Sequence, residues 1–472
     1  MKKFFLLITL MYFGLGTNAQ VPLTLQENLQ DTLLSMMNTY HFKGLSVSVS
    51  YKNTGIWSSA VGESADGIPL QSNMLIGIGS NTKTFVSCIM LKLADNGQID
   101  LNDTIGTWLP GYANINGSIT IRQILNHTSG IYDYTENDDF WNTVLTTNIR
   151  RKIWTKQEIL QTYIGPPYFA AGKSWNYSNT NYLIAGFIAE SITGKSIHEL
   201  IRDSILIPQS LDHTFFPPYE TTTETFAHFW SDFRGDGTLC DLSDSSIRFT
   251  YLPIEIYSAA DAAGALVSTA EDNVLFWKAL MNGKIISTST LKNKMLQFYP
   301  IPVDLAFRGD IGYGLGIMKT KLSIGDTIVS HEGAWLGQQN RNLADTMNNI
   351  YITVLSNQDF VDPQPVLEGL YKAVLDYSLV GINENSSLTK MDFTIYPNPA
   401  DKVLNIEIYN LGRQELEIEI YTVTGEVIYQ KQYDNIDSNF VSQLDLSGYA
   451  KGIYLVKVMQ ANTVYVGKVV VR

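Results

Sequence analysis

The segment Leu75-Ile-Gly-Ile-Gly-Ser-Asn-Thr-Lys-Thr-Phe85 places a serine and a lysine at positions i and i+3 at the start of a predicted helix. The apolar residues that follow fall mostly on one helical stripe, and Asp95-Asn-Gly97 supplies a helix stop. Because residues at i and i+3 share a helical face, the Ser80 hydroxyl and the Lys83 amine are predicted to lie one turn apart. A neutral, desolvated lysine can take the proton of a serine hydroxyl, and a backbone N–H at a helix start can hold an oxyanion. The segment therefore predicts a nucleophilic serine.

The spacing of these two residues is not specific by itself. Ser289-Thr-Leu-Lys292 and Ser387-Leu-Thr-Lys390 match the same Ser-x-x-Lys pattern, but one follows a Ser/Thr-rich turn and the other lies in a polar segment. Both are therefore predicted to be solvated surface. For Ser80, the alternative interpretation is a helix-capping serine beside a lysine whose chain reaches solvent.

Two later segments carry side chains that suit the same chemistry. Tyr177-Ser-Asn179 precedes a predicted helix. A phenol beside a lysine can relay a proton there, and a carboxamide can orient both the lysine and a substrate amide. His331-Glu-Gly333 follows an apolar segment, and its glycine would let a substrate backbone lie against a strand edge. Each segment is weak evidence alone, since a single histidine is more often structural than catalytic. The Tyr-x-Asn pattern also occurs at Tyr51, Tyr112, Tyr396 and Tyr433.

Taken in this order, the three segments resemble the serine β-lactamase and penicillin-binding protein superfamily. The likeness is strongest to the branch of class C β-lactamases, D-alanyl-D-alanine carboxypeptidases and esterases, whose motifs read Ser-x-x-Lys, Tyr-x-Asn and Lys/His-Thr-Gly. The resemblance runs from about residue 23 to residue 377, and it implies an α/β (α+β) fold in which helices flank an antiparallel sheet and a helical subdomain is inserted. Three flanking segments also look like recurring parts of the branch: 121–130, 262–272 and 312–317.

The resemblance also implies roles for individual residues. Ser80 is similar to the acylated nucleophile, Lys83 to its proton acceptor and Tyr177 to a second acid/base. Asn179 matches the residue that links the lysine to the substrate amide. The backbone N–H groups of Ser80 and Ala334 match the pair that forms the oxyanion hole.

The third motif departs from the family pattern at one position. His331 matches the place where a cationic or donor group meets a substrate carboxylate, and Gly333 matches the motif glycine. Glu332 stands where threonine is usual. A carboxylate there is expected to repel an anionic substrate terminus, unless it pairs with His331 or points away.

No cofactor or metal is predicted from the remaining residues. His127 and Ser129 lie in a glycine-closed turn and are interpreted as structural. The other histidines are scattered without metal-ligand spacing, and Gly77-x-Gly79 lacks the spacing of a nucleotide-binding loop. Cys88 and Cys240 do not make a disulfide framework.

Composition and the first residues indicate an exported protein. The chain has 472 residues, 45% of them hydrophobic, which is enough for one large domain and a smaller one. Its net charge of −13 argues against nucleic acid as a partner. Residues 1–20 have a basic start, a short apolar run and small residues before Ala19, as in a secretory signal peptide. No other segment has the apolar length of a transmembrane span.

A change in composition divides the chain into domains. The predicted hydrolase domain covers residues 21–378, and a polar linker covers 379–390. From 391 to 472 apolar and polar residues alternate, which predicts a small antiparallel β-sandwich. Its opening and ending resemble the C-terminal sorting domain of type IX secretion, and the alternative is an adhesive or carbohydrate-binding β-module.

These observations lead to one functional hypothesis with stated rivals. We expect a secreted or cell-surface serine hydrolase, exported through the periplasm by the type IX machinery, that forms an acyl-enzyme on Ser80. A D-amino-acid peptidase or carboxypeptidase and an esterase are the leading activities. The alternatives are a β-lactamase and an inactive homologue that binds peptidoglycan. The expected substrates are accordingly small acyl esters, D-peptides or β-lactams.

Overall fold

The computed structural model of the chain describes residues 20–145, 151–232, 235–246, 251–305, 309–380, 393–422, 426–460 and 463–472. The predicted signal peptide (except Gln20) and most of the predicted linker lie outside these residues. The chain divides into two compact units, Met1–Ala373 and Val374–Arg472. Among the described residues, no helix combines the length and the apolar character needed to cross a bilayer.

The strands of the described residues are numbered in chain order. They are β1 Gly44–Tyr51, β2 Ile56–Ala65, β3 Ile68–Pro69, β4 Ile76–Gly77, β5 Thr214–Phe215, β6 Trp230–Ser231, β7 Cys240–Asp241, β8 Val267–Ser268, β9 Tyr299–Pro300, β10 Asp310–Tyr313, β11 Met318–Lys321, β12 Thr327–Ser330, β13 Glu332–Trp335, β14 Gln338–Asp345, β15 Ile350–Ser356, β16 Phe393–Tyr396, β17 Val403–Thr422, β18 Val427–Asp445, β19 Gly452–Gln460 and β20 Thr463–Val471.

The α-helices are numbered in the same way. They are α1 Leu23–Tyr40, α2 Thr82–Asp95, α3 Ile121–Leu125, α4 Asp138–Val144, α5 Lys156–Thr162, α6 Thr180–Thr193, α7 Ile197–Ile201, α8 Ile207–Gln209, α9 Ala270–Met281, α10 Thr288–Thr290 and α11 Gln364–Val380.

An antiparallel sheet organises the first unit. Its order is β3-β2-β1-β15-β14-β12-β11-β10-β9, and β13 pairs with β14 beside this path. Helix α1 packs against β2, and α9 packs against β1 and β15. All eight residues of β1 are buried, although its apolar residues alternate with serines. The serine face is covered by α9, since Lys278 Nζ donates a 2.9 Å hydrogen bond to Ser50 Oγ. This architecture confirms the predicted antiparallel sheet flanked by helices.

Helix α2 is buried more completely than the sequence predicts. The apolar stripe indicates one buried face, yet eleven of its fourteen residues are buried, Lys83 and Cys88 among them. Polar residues on the other faces are satisfied locally. The Thr84 hydroxyl donates a 2.8 Å hydrogen bond to Gly316 O, and Ser87 Oγ lies 3.1 Å from the Tyr182 hydroxyl. A helix surrounded on all sides holds its first turn rigidly, which matters because that turn carries Ser80.

After the end of α11, the described residues of the second unit are all-β, as predicted. Its strands pair antiparallel into a five-stranded sheet of order β16-β17-β19-β20, with β18 beside β17. The burial of side chains along β17 alternates with the two-residue period of the sequence. Leu404, Ile406 and Ile408 are fully buried, whereas Asn405 and Glu407 are half-buried. The same alternation continues through Val456 and Val458 of β19.

Candidate active site

Ser80 lies in a short 3-10 turn, Gly79–Asn81, that leads directly into α2. Gly79 has a φ of +46°, and an added Cβ would come within 2.7 Å of Ala334 O and 2.8 Å of Ala334 N. Both the backbone conformation and the close approach therefore require glycine. The result is that the residue before Ser80 packs directly on the backbone of Ala334 in β13. The two N–H groups predicted to form the oxyanion hole are thus carried by adjoining segments.

The Lys83 amine sits at the centre of the site, fully buried. Its Nζ lies 2.9 Å from Ser80 Oγ, 2.7 Å from Asn179 Oδ1 and 2.6 Å from Ala263 O. Burial lowers the pKa of Lys83 to about 7, and the charge of Asp133 opposes that effect. A neutral amine has two N–H donors and one lone pair, so it can donate to the amide and the carbonyl and accept from the serine hydroxyl. This arrangement suits a general base.

Tyr177 lies on the other side of the lysine. Its ring centroid is 4.9 Å from Lys83 Nζ, and its ring packs 4.3 Å from that of His127. Burial raises the pKa of Tyr177 well above its usual value, and a hydrogen bond with Ser80 offsets only part of that effect. The phenol therefore keeps its proton near neutral pH. It can pass a proton on, but it is a poor competitor with Lys83 for the role of base.

Asn179 is held in one orientation by acceptors on its far side. Its Nδ2 donates to Asp133 Oδ2 at 2.9 Å and to Thr135 Oγ1 at 3.0 Å, which leaves Oδ1 for Lys83. Asp133 is itself buried, and burial raises its pKa. The sequence reasoning missed Asp133. Its place shortly after the recurring segment 121–130 was the available signal.

His127 and Ser129 lie behind the Tyr177–Asn179 loop. His127 Nδ1 accepts from the Ser178 N–H at 3.1 Å and lies 3.1 Å from Asn181 Nδ2, while Ser129 Oγ donates to Asn181 Oδ1 at 2.7 Å. Burial lowers the pKa of His127 well below its usual value, so the ring is neutral. These contacts fix the loop that carries Tyr177 and Asn179.

His331 differs from what the resemblance implied. The ring is fully buried, with Nδ1 2.6 Å from Glu332 O and Nε2 2.9 Å from the Tyr313 hydroxyl. The tautomer that satisfies both contacts donates from Nδ1 and accepts at Nε2. Burial lowers the pKa of His331 well below its usual value, and the charges of Lys83 and Arg341 act in the same direction. The ring is therefore neutral and fully engaged, so it does not supply a cation to a substrate carboxylate.

Glu332 also lies away from the site. It forms an ion pair with Arg341, which stands directly opposite it in the β13–β14 pairing and also contacts Asp362 at 2.9 Å. The expected repulsion of anionic substrates therefore does not come from this carboxylate. Gly333 has a different neighbour from the one expected as well. An added Cβ there would meet Ile78 O at 2.0 Å, so the glycine admits the protein's own backbone.

A cavity of ≈ 490 Å³ opens above Ser80. Trp141 and Trp335 form part of its wall, with ring centroids 6.0 Å apart. Among the described residues that line it, Asp359 alone carries a charged side chain. Trp141, Asp359 and Phe360 were not identified as cavity residues from the sequence. Trp335 could have been identified, because it lies next to the third motif. The lining residues are Ser80, Tyr134, Thr135, Trp141, Asn179, Ala260, Ala263, Gly264, Ala334, Trp335, Leu336, Gln339, Asp359 and Phe360.

No cluster of three or more potential metal-ligating side chains occurs among the residues that the structure describes. The site is instead a serine, an amine, a phenol and an amide in mutual contact. This set can perform acyl transfer without further groups.

Both parts of the chain match known protein families. Residues 29–375 match the β-lactamase family model, and residues 394–472 match the model of a secretion system C-terminal sorting domain. Penicillin-binding protein 4* of Bacillus subtilis (strain 168) is 26% identical over 299 residues, which cover 62% of this chain and 62% of that protein.

Solved structures extend the likeness to amidases. A D-stereospecific amidohydrolase from Streptomyces sp. is 30% identical, with a TM-score of 0.64 over 73% of this chain and 98% of that one. The D-amino acid amidase of Ochrobactrum anthropi SV3, in complex with D-phenylalanine, superposes with a TM-score of 0.62 over 77% of this chain and 100% of that one. At 24% identity, the second likeness concerns the fold alone.

Proposed function

The chain belongs to the β-lactamase family, and from that premise we propose that it is a secreted serine hydrolase that forms an acyl-enzyme on Ser80. The observation that carries this proposal is the Lys83 amine, buried, with a pKa of about 7 and 2.9 Å from the serine oxygen. About half of the lysine is neutral at pH 7, so the base is available without a preceding step.

The proposed reaction begins with proton transfer. Lys83 Nζ takes the proton of Ser80 Oγ as the oxygen attacks the substrate carbonyl. The N–H groups of Ser80 and Ala334 hold the oxyanion, a contribution of roughly two to three orders of magnitude per donor. The tetrahedral intermediate collapses when the leaving nitrogen or oxygen receives a proton, delivered from Lys83 by way of the Tyr177 phenol. A water molecule, deprotonated by the same lysine, then attacks the acyl-enzyme and frees Ser80.

For the substrate, we propose D-amino-acid amides, short D-peptides or small esters. The 30% identical Streptomyces D-stereospecific amidohydrolase supports the first two classes. The uncharged aromatic wall formed by Trp141 and Trp335 suits an apolar acyl group. A free carboxylate, as in β-lactams and D-alanyl termini, would find no cation among the described residues that line the cavity. A protein that only binds peptidoglycan would not need a buried lysine with a lowered pKa next to a serine hydroxyl.

The second unit is proposed to direct export. Its match to a secretion system sorting domain implies secretion or display at the cell surface. We propose further that the protein passes through the periplasm and that the type IX machinery recognises this unit. We also propose 21–378 and 391–472 as the limits of the two domains.

Labelling of the nucleophile tests the proposed activity. A fluorophosphonate should react by attack of Ser80 Oγ on phosphorus with loss of fluoride, and peptide mass spectrometry should place the adduct on Ser80. Ser80→Ala should abolish both labelling and hydrolysis. An adduct on Ser289 or Ser387, or hydrolysis that persists in Ser80→Ala, would overturn the assignment. A panel of D- and L-amino-acid amides, esters and a cephalosporin then ranks the substrate classes.

A further inference from the structure

The charge on the wall of the catalytic cavity is negative. Of the described residues that line it, Asp359 is the one with a charged side chain. Two nearby basic side chains are engaged elsewhere, since Lys83 Nζ contacts Ser80, Asn179 and Ala263, and Arg341 pairs with Glu332 and Asp362. A substrate that enters this cavity therefore meets a carboxylate and no opposing cation from those lining residues. This is the reverse of what a substrate with a free carboxylate requires.

Asp359 is held at the cavity wall by hydrogen bonds with two backbone groups. Its N–H donates to Trp230 O at 3.2 Å, and its Oδ2 accepts from the Gly337 N–H at 2.9 Å. Gly337 lies in the turn between β13 and β14, the hairpin that also carries Ala334. The carboxylate is thus fixed relative to the backbone that is proposed to hold the oxyanion.

One oxygen of this carboxylate is left unsatisfied. Asp359 Oδ1 is shielded from solvent, yet no hydrogen bond of normal geometry reaches it from the described residues. A buried acceptor without a donor is unfavourable, and an ionised one more so. Burial raises the pKa of Asp359 and the nearby charge of Asp232 adds to that effect, whereas hydrogen bonds with the Ser231 side chain and the Gly337 N–H oppose it. A positively charged ligand group beside this carboxylate would favour its ionised form and offset part of this penalty.

The neighbouring aromatic side chains favour the same kind of ligand. Phe360, next to Asp359, is 74% exposed and lines the cavity with Trp141 and Trp335. Its backbone has a φ of +64°, a conformation that a residue with a bulky side chain rarely adopts. Aromatic faces attract organic cations and also pack against apolar groups. An ammonium carried by an apolar or aromatic skeleton is complementary to both features.

We propose that Asp359 selects substrates that carry a primary ammonium group, by electrostatic attraction between that ammonium and its carboxylate on the cavity wall. The site would then take amino-acid amides, amino-acid esters or short peptides with a free amino group. It would disfavour acylated amines and free carboxylates. This inference rests on the proposed hydrolase function and adds the residue that sets its specificity.

Binding of two matched probes tests the inference directly on the full chain. Phenethylamine and phenylacetate have the same ring and similar length but opposite charge, and isothermal titration calorimetry measures each. We expect phenethylamine to bind at least about tenfold more tightly than phenylacetate, because the carboxylate attracts the first probe and repels the second. Asp359→Asn should abolish the difference. The control Asp66→Asn makes the same change at an exposed residue outside the cavity and should leave the difference intact.

Turnover provides a second measure. D-phenylalanine p-nitroanilide should exceed its N-acetyl derivative in kcat/KM, chiefly through KM, and Asp359→Asn should reduce that ratio to near one. Equal binding of the two probes, or a preference that survives Asp359→Asn, would overturn the role of Asp359. Fluorophosphonate labelling of Ser80 keeps the two proposals apart, because that probe carries no ammonium. Labelling without ammonium preference refutes this inference alone, and absence of labelling refutes the hydrolase proposal.

Discussion

The pH dependence of Ser80 acylation follows from the burial of Lys83. A lysine in water, with a pKa of 10.5, would be neutral in about one molecule in 3,000 at pH 7. Burial brings the pKa of Lys83 to about 7, which makes about half of the molecules competent at that pH. The depressed pKa therefore increases the population of free base about a thousandfold.

The expected profile has one ascending limb. Because the neutral amine is the active form, the second-order rate of acylation by a neutral fluorophosphonate should rise between pH 6 and pH 8 with a midpoint near 7. Lys83→Arg keeps the charge but removes the base, so acylation should fall by at least about a hundredfold and lose this limb. The assay is the time course of Ser80 modification, read by intact-mass spectrometry at fixed probe concentration.

A substitution at Asp133 gives an independent check on the direction in which the midpoint of the pH profile moves. Its charge raises the pKa of Lys83, so Asp133→Asn should move the midpoint to lower pH, whatever it does to the maximal rate. The midpoint is the informative quantity, because the same substitution also alters a contact of Asn179. A flat profile from pH 6 to 8, or a midpoint that survives Lys83→Arg, would refute Lys83 as the base.

Three further outcomes are expected. Glu332→Thr should lower the free energy of unfolding by about 1–3 kcal/mol, measured by denaturant titration, because Arg341 loses a partner. A selective gain in kcat/KM for substrates with a carboxylate would contradict the conclusion that Glu332 does not face the substrate. Gly79→Ala should slow Ser80 labelling about a hundredfold or more by displacing the oxyanion backbone. Gly67→Ala, with a φ of +73° and nothing within 4 Å, is its control and should affect stability only. Deletion of residues 391–472 should preserve turnover and abolish export, as measured in culture supernatants; lost turnover would instead favour the adhesive-module interpretation.

The parts of the fold that the sequence predicts are those fixed by local pattern. The alternation around Ile406 is the burial pattern of β17, and the serine–lysine spacing at Ser80 is realised within one turn. What the sequence did not predict depends on how elements meet. The burial of eleven of the fourteen α2 residues results from the surrounding helices, so an apolar stripe on one face underestimates it.

The same distinction explains why the chemistry of the site was easier to predict than its specificity. Ser80 and Lys83 lie within one turn of the chain, so their contact follows from spacing, and the later Tyr177-Ser-Asn179 segment distinguishes this pair from the other Ser-x-x-Lys matches. The charge that a substrate meets depends on strand register and on a distant loop. Register places Arg341 opposite Glu332 and so neutralises the carboxylate that was expected from the third motif to face the substrate. The turn after β15 brings in Asp359, almost 280 residues from the nucleophile, as the carboxylate that does line the cavity. An acidic residue inside a motif is therefore weaker evidence of an anionic site than one that the fold places on the cavity wall with no cation among the described lining residues.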